Sequence, residues 1–287
     1  MSRLYDTLRR IDREKRQSGT VAPEPDKPVE LLKNIMKAPV KMADGPSASI
    51  SAGKASRLVA LTDPQSLGAE KFRALVARLE SLRQRQKREL KSIQITSAVI
   101  NEGKTLVAAN LAITLVKHFG YKVLLAEGDL HRPTLTTLLG LTNLDGINQW
   151  WRGREENTEL SRCVYELDDM QLWFLSAGST CDQPSQILQS ARFAEAFVRL
   201  AGGFDWVVVD STPMSPTVDV NLWSRLVDGT LLVVREGITP IEALKMGVKG
   251  LDNPKWLGVV LNEASEFDRV NYTDQYYGVK KKENRAP

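Results

Sequence analysis

The sequence predicts an α/β fold of three layers, a mostly parallel sheet flanked by helices on both faces, and two observations predict it. Short runs rich in Val, Ile and Leu, at 92–96, 122–127, 172–176, 206–210, 230–235 and 257–261, alternate with segments long enough to carry helical crossovers. Strands that are apolar on both faces belong to parallel sheets covered above and below. The second observation is Thr96-Ser97-Ala98-Val99-Ile100-Asn101-Glu102-Gly103-Lys104-Thr105, which follows the apolar pair Ile93 and Ile95 and opens a helical pattern at Val107, Leu111 and Leu115. A strand delivering the chain to a Gly-Lys-Thr turn at a helix start is the setting of a phosphate-binding loop, and hence of a P-loop nucleotide fold.

The elements follow in order. Residues 3 to 17 read as a short helix with Leu4, Leu8 and Ile11 on one face, a stripe that needs a partner or the core to bury it. Pro23, Pro25, Pro28, Pro39 and Pro46 mark the next stretch as a linker. A helix from Pro64 to Arg88 carries Leu67, Phe72, Leu75, Leu79 and Leu82 at helical spacing and a basic polar face, and leads into the first strand. The expected organisation is an N-terminal amphipathic helix over 1–20, a Pro-containing flexible linker over 21–63, a P-loop domain over 64–268 and a basic tail with tyrosines over 269–287.

Composition excludes several classes. The 287 residues are 42% apolar and 26% charged, ordinary for one globular core with tails. No apolar run approaches the roughly 20 residues that span a bilayer, and the N-terminus enters charged residues without an apolar leader, so a cytoplasmic protein is expected. Cys163 and Cys181 stand without metal-ligand or disulfide-framework spacing. The net charge of +4 is clumped at Arg9 to Arg16, Arg83 to Lys91 and Lys280 to Arg285 without interleaved aromatics, which reads as solvated faces and not as a nucleic-acid site.

Three acidic strand ends share the rim with the loop: Glu127 and Asp129 after the second strand and Asp210 after the fourth. Beyond the carboxyl ends of parallel strands is where such sheets bind ligands. Mg²⁺ takes one or two carboxylates together with nucleotide phosphates and a loop hydroxyl, which selects Asp210 and Thr105. Glu127 or Asp129 is then placed to accept a proton from an attacking hydroxyl or water.

These residues carry a resemblance. The order Thr-Ser-x-x-x-x-Glu-Gly-Lys-Thr, then Glu127-Gly-Asp129-Leu-His131-Arg-Pro, then Phe204-Asp-Trp-Val-Val-Val-Asp210-Ser-Thr-Pro is similar to the bacterial tyrosine kinases of capsule and exopolysaccharide synthesis, relatives of the MinD/ParA ATPases. Leu175-Ser-Ala-Gly178, Asp228-Gly-Thr-Leu-Leu-Val-Val-Arg235 and Gly258-Val-Val-Leu-Asn262 extend the likeness over residues 66 to 277. The resemblance implies an ATP-dependent protein-tyrosine autokinase that uses Mg²⁺ and regulates polymer synthesis and export. Lys104, Glu127, Asp129 and Asp210 would be catalytic, with Asp210 at the Walker B position and Thr105 and Asp210 on the metal. Asn101, Glu102, Gly103, Lys104, Thr105, Leu106 and Asn262 would bind the nucleotide. Tyr272, Tyr276 and Tyr277 would be phosphoacceptors between subunits, and Glu70 and Arg73 would lie in a homo-oligomer interface. Implied partners are an inner-membrane polysaccharide chain-length (co-polymerase) protein as activator, recruiting the chain to the inner face of the plasma membrane, and a phosphotyrosine phosphatase.

The chain departs from that family's pattern at named places. Ile100-Asn101 replaces Pro-Gly, Glu127 replaces an Asp, His131 replaces a frequent Arg, and Val76 stands where a second Arg of the oligomer helix is usual. Two other functions follow from these departures and from the loop alone: a nucleotide-gated regulator of polysaccharide export with little or no transfer, and a MinD/ParA-type ATPase. Against the second, no Lys lies between Thr96 and Glu102.

Overall fold

The computed structural model describes residues 46–51, 57–85, 89–153, 159–168, 170–181, 183–214, 218–252 and 255–264. Residues 1–20 and the tail tyrosines Tyr272, Tyr276 and Tyr277 lie outside the described residues. One eight-stranded sheet organises the rest, in the order β1-β4-β5-β3-β6-β2-β7-β8. Its strands are β1 (Ser47–Ala48), β2 (Ser92–Ser97), β3 (Val123–Glu127), β4 (Val164–Leu167), β5 (Leu172–Leu175), β6 (Trp206–Asp210), β7 (Gly229–Arg235) and β8 (Trp256–Asn262). Every pairing is parallel except β4 with β5. The expected three-layer α/β architecture is therefore present. β2, the strand that feeds the phosphate loop, is an interior strand between β6 and β7, and all six of its residues are buried.

Helices cover both faces. On one, α1 (Val59–Thr62), α2 (Leu67–Arg85) and α3 (Lys104–Phe119) pack over Ile93, Ile95, Leu125 and Val208. α2 buries Val76 and Leu79 and packs Phe72, Leu75 and Leu82 against that core, as its spacing predicts, whereas Leu67 is exposed. α3 is apolar nearly all round, with ten consecutive residues from Val107 to Val116 buried. It stops at Gly120, whose φ of 68° places it in the left-handed region that only glycine enters freely. On the other face α5 (Ile147–Arg152), α7 (Ala191–Ala201) and α8 (Asp219–Leu226) enclose Leu124, Ala126, Val207 and Val209. The remaining helices are α4 (Leu135–Leu138), α6 (Pro184–Gln189) and α9 (Ile241–Gly250). None of the helices among the described residues is long and apolar enough to cross a membrane.

Two features differ from the sequence reading. β4 was not expected: it is only four residues long, follows a 3-10 turn over Leu160–Cys163, and runs antiparallel to β5, so the alternation of strand and crossover helix that marks a parallel sheet is absent there. The second concerns residues read as Pro-containing linker. β1 pairs with β4 at the sheet edge, and Leu58 and Ala60 are wholly buried. The physical reason lies in Asn110, buried in the middle of α3. Its Oδ1 accepts from Ala60 N at 3.0 Å, and its Nδ2 donates to Arg57 O at 3.1 Å and Leu106 O at 2.9 Å. A buried amide in an apolar helix needs such partners, and it finds them on the segment 57–60, which it straps across the helix.

Candidate active site

The loop between β2 and α3 is shaped by two left-handed residues. Asn101 has φ 62° and Gly103 φ 89°. Asn enters this region more readily than other side chains, so the substitution Ile100-Asn101 is compatible with the turn. Gly103 has no alternative: a Cβ there would lie 2.1 Å from Asn262 Nδ2. Asn262, at the end of β8, donates to Glu102 O at 2.9 Å. The Glu102 side chain, buried, accepts from Val99 N at 2.8 Å and from the Thr239 hydroxyl, so it fastens the loop to the segment after β7. Beyond Gly103 the first turn of α3 offers N–H groups without intrahelical partners and the positive end of the helix dipole. Leu106 contributes only backbone there, since its side chain packs on the core.

Lys104 brings the acids together. Its Nζ stands 3.2 Å from Asp129 Oδ2 and 3.5 Å from Asp210 Oδ1, with the Thr105 hydroxyl also at 3.5 Å. β3 and β6 place Glu127 opposite Asp210 in register, which is why the second and fourth strand ends converge. Burial pulls the Lys104 pKa down, but Asp210 and Asp129 more than offset it, and the net displacement is upward. Asp210 is completely buried. Desolvation pushes its carboxyl from 3.8 up to about 6, against the opposing pull of Lys104. Neither of its oxygens accepts a hydrogen bond among the described residues. Unsatisfied buried carboxylate oxygens beside a loop hydroxyl are the donor set of a hard cation. No group of three or more His, Cys, Asp or Glu among the described residues is arranged to hold a metal unaided, so phosphate and water oxygens would have to complete such a shell.

Glu127 and Asp129, alternatives in the sequence, are separated by the structure. Glu127 is wholly buried and its oxygens are taken by three donors: Thr136 N at 2.9 Å, Thr136 Oγ1 at 2.6 Å and Ala177 N at 3.2 Å. Asp129 accepts from Arg132 N at 3.0 Å on Oδ1 and from Lys104 Nζ at 3.2 Å on Oδ2. Thr134 Oγ1 lies 3.2 Å from Thr105 Oγ1. Thr134, Thr136 and Thr239 carry no motif that would have marked them in the sequence. Away from the loop, Glu70 and Arg73 pair with each other on α2, and Arg73 also donates to Pro64 O at 2.7 Å.

A parallel sheet with this loop, a lysine held by two strand-end carboxylates and a glycine-only turn defines a P-loop nucleotide-dependent enzyme of the MinD/ParA-like architecture. No family model matches the chain. It is 29% identical over 225 residues to the tyrosine-protein kinase YwqD of Bacillus subtilis (strain 168), covering 78% of this chain and 92% of that protein. With CapB of Staphylococcus aureus, also classed with the tyrosine-protein kinases, it shares 30% identity over 218 residues, 75% of this chain and 92% of the other. The crystal structure of the chimerical protein CapA2B2 superposes with a TM-score of 0.67 at 25% identity, covering 82% of this chain and 98% of that one. The chain belongs to the bacterial tyrosine kinases of capsule and exopolysaccharide synthesis.

Proposed function

We propose that the chain transfers the γ-phosphoryl group of ATP to tyrosines of its own C-terminal tail, between neighbouring subunits, and so regulates polymer synthesis and export. The observation that supports it most is the placement of Lys104 between Asp129 and Asp210 at a helix N-terminus. The phosphates of ATP lie on Gly103, Lys104, Thr105 and the backbone N–H groups of the loop, and Asn262 borders the nucleotide beside Glu102. Thr105 and Asp210 would hold Mg²⁺, which would supply positive charge to offset that of the phosphates. Lys104 leaves the carboxylates for the phosphates as they enter. A tyrosine hydroxyl oxygen forms the new bond to the γ-phosphorus while the β–γ bridging bond breaks, ADP leaves, and the tyrosine proton passes to Asp129, the acid whose lone pairs remain available. Glu127 orients the strand end through Thr136 and Ala177 and takes no part in the proton transfer.

Tyr272, Tyr276 and Tyr277 supply the acceptors, three within six residues of a polar tail. Glu70 and Arg73, on the outer face of α2, belong to the homo-oligomer contact that brings one tail to the next site. Recruitment to the inner face of the plasma membrane runs through a polysaccharide co-polymerase that activates the kinase, and a phosphotyrosine phosphatase reverses the modification. The decisive experiment incubates the protein with Mg·ATP and the cytosolic end of that partner and maps phosphotyrosine by mass spectrometry. Labelling of the tail in the native protein and none in Lys104→Met is expected. Nucleotide binding with no phosphotyrosine would favour the nucleotide-gated regulator, and lipid- or DNA-stimulated hydrolysis without labelling would favour a MinD/ParA-type ATPase.

A further inference from the structure

Asp129 sits in a short loop, Gly128 to Arg132, and α8 grips that loop on both sides of it. Trp223 Nε1 donates to Gly128 O at 3.0 Å, and Asp219 Oδ2 lies 3.0 Å from His131 Nε2. Asp219 and Trp223 are four residues apart, hence neighbours on one face of the helix. The two grips differ in kind. Trp223 is fully buried and clasped edge-on by Phe193 and Phe197, with ring centroids 5.7 and 5.2 Å away, so its end of the loop is fixed. The other end rests on a polar contact. Asp219 is wholly buried; Ser185 Oγ donates to its Oδ1 at 2.8 Å, while its Oδ2, which accepts no hydrogen bond among the described residues, lies beside the His131 imidazole, whose side chain is 41% exposed.

We propose that His131 is a positioning residue for phosphoryl transfer: through Asp219 it holds the Asp129 loop against α8. A buried carboxylate left without a counter-charge is costly, and relaxes by moving or by drawing in water. The contact of His131 Nε2 with Asp219 Oδ2 ties this side of the loop to α8, and without it the loop loosens there. An arginine at 131 can make a charged contact with the same carboxylate, whereas a glutamine cannot. A shift near 1 Å in a reacting group costs on the order of 100-fold in rate, so partial loosening should appear in the rate and not in nucleotide affinity.

This rests on the kinase reading for its kinetic readout only. The test compares the native protein, His131→Gln and His131→Arg in tail phosphorylation over a range of Mg·ATP concentrations. Amide hydrogen exchange over residues 128–132 is measured in parallel. Expected are a loss of roughly tenfold or more in kcat for His131→Gln with KM for ATP within about twofold, and a His131→Arg enzyme that keeps the rate. Exchange over 128–132 should rise in His131→Gln alone. Native kcat and native exchange in His131→Gln, or a His131→Arg variant as slow as His131→Gln, would overturn the proposal. If even the native protein binds ATP and makes no phosphotyrosine, the kinase reading fails, and the exchange pattern alone decides the role of His131.

Discussion

Asn262 Nδ2 occupies the space that any side chain at Gly103 would need, 2.1 Å from where a Cβ would stand. The same nitrogen holds Glu102 O, so strand β8 and the loop interlock at one point. Gly103→Ala must therefore both move Asn262 and force a left-handed backbone on alanine. Nucleotide affinity should fall at least about tenfold, since each unfavourable left-handed residue costs roughly 1–3 kcal/mol. Isothermal titration with an ATP analogue checks this. Adding Asn262→Gly should recover only part of the loss, because the backbone cost remains.

Lys104→Met removes the cation shared by two carboxylates. Transfer should fall by at least about 100-fold, the scale seen when one charge-stabilising donor is removed. Stability should also drop at pH 8, by about 1–3 kcal/mol, and less at pH 5, because Asp210 then takes a proton in place of its lost partner. Urea denaturation at the two pH values measures the difference.

Asp210 carries the opposite sign. Burial raises its carboxyl from 3.8 to about 6, so the folded protein binds this proton more tightly than the unfolded chain does. Its contribution is most favourable below the unfolded value, is lost as pH climbs through the folded value, and leaves a charged, buried group above about pH 6. Asp210→Asn should accordingly stabilise the nucleotide-free protein at pH 8 by about 1–3 kcal/mol while abolishing transfer. Thermal unfolding should show that gain shrinking toward zero as the pH is lowered to about 4.

Glu127→Asp should not improve the enzyme. The shorter carboxylate withdraws from Thr136 N, Thr136 Oγ1 and Ala177 N, which are met at 2.9, 2.6 and 3.2 Å. Stranding buried donors costs about 1–3 kcal/mol, and the Asp129 loop that follows loses its anchorage. Lower stability in urea and a slower single-turnover rate are expected; a faster one would argue that residue 127 exchanges the proton itself.

Much of this arrangement could be read in the residues. Apolar runs located six strands to within a residue or two, and the Gly-Lys-Thr turn with Asp210 located the rim, because backbone periodicity and phosphate binding both leave local signatures. What stayed hidden is non-local. β4 is four residues long and reversed, too short for alternation to show. The division of labour between Glu127 and Asp129 depends on Thr136 and Ala177, 9 and 50 residues away in the chain, and no spacing rule links them. Asn110 reads as a polar blemish in an apolar helix until Ala60 and Arg57 are seen beside it.

That strap has a mechanical side. The carbonyl of Arg57 is tied to Asn110 and its guanidinium meets Glu263 at 3.3 Å, and Asn110 rides on the helix whose first two residues are Lys104 and Thr105. A displacement of the segment 57–60 is thus delivered to the shaft that presents the phosphate-binding lysine. The strap behind the helix and the nucleotide cradle at its tip are therefore two ends of one lever.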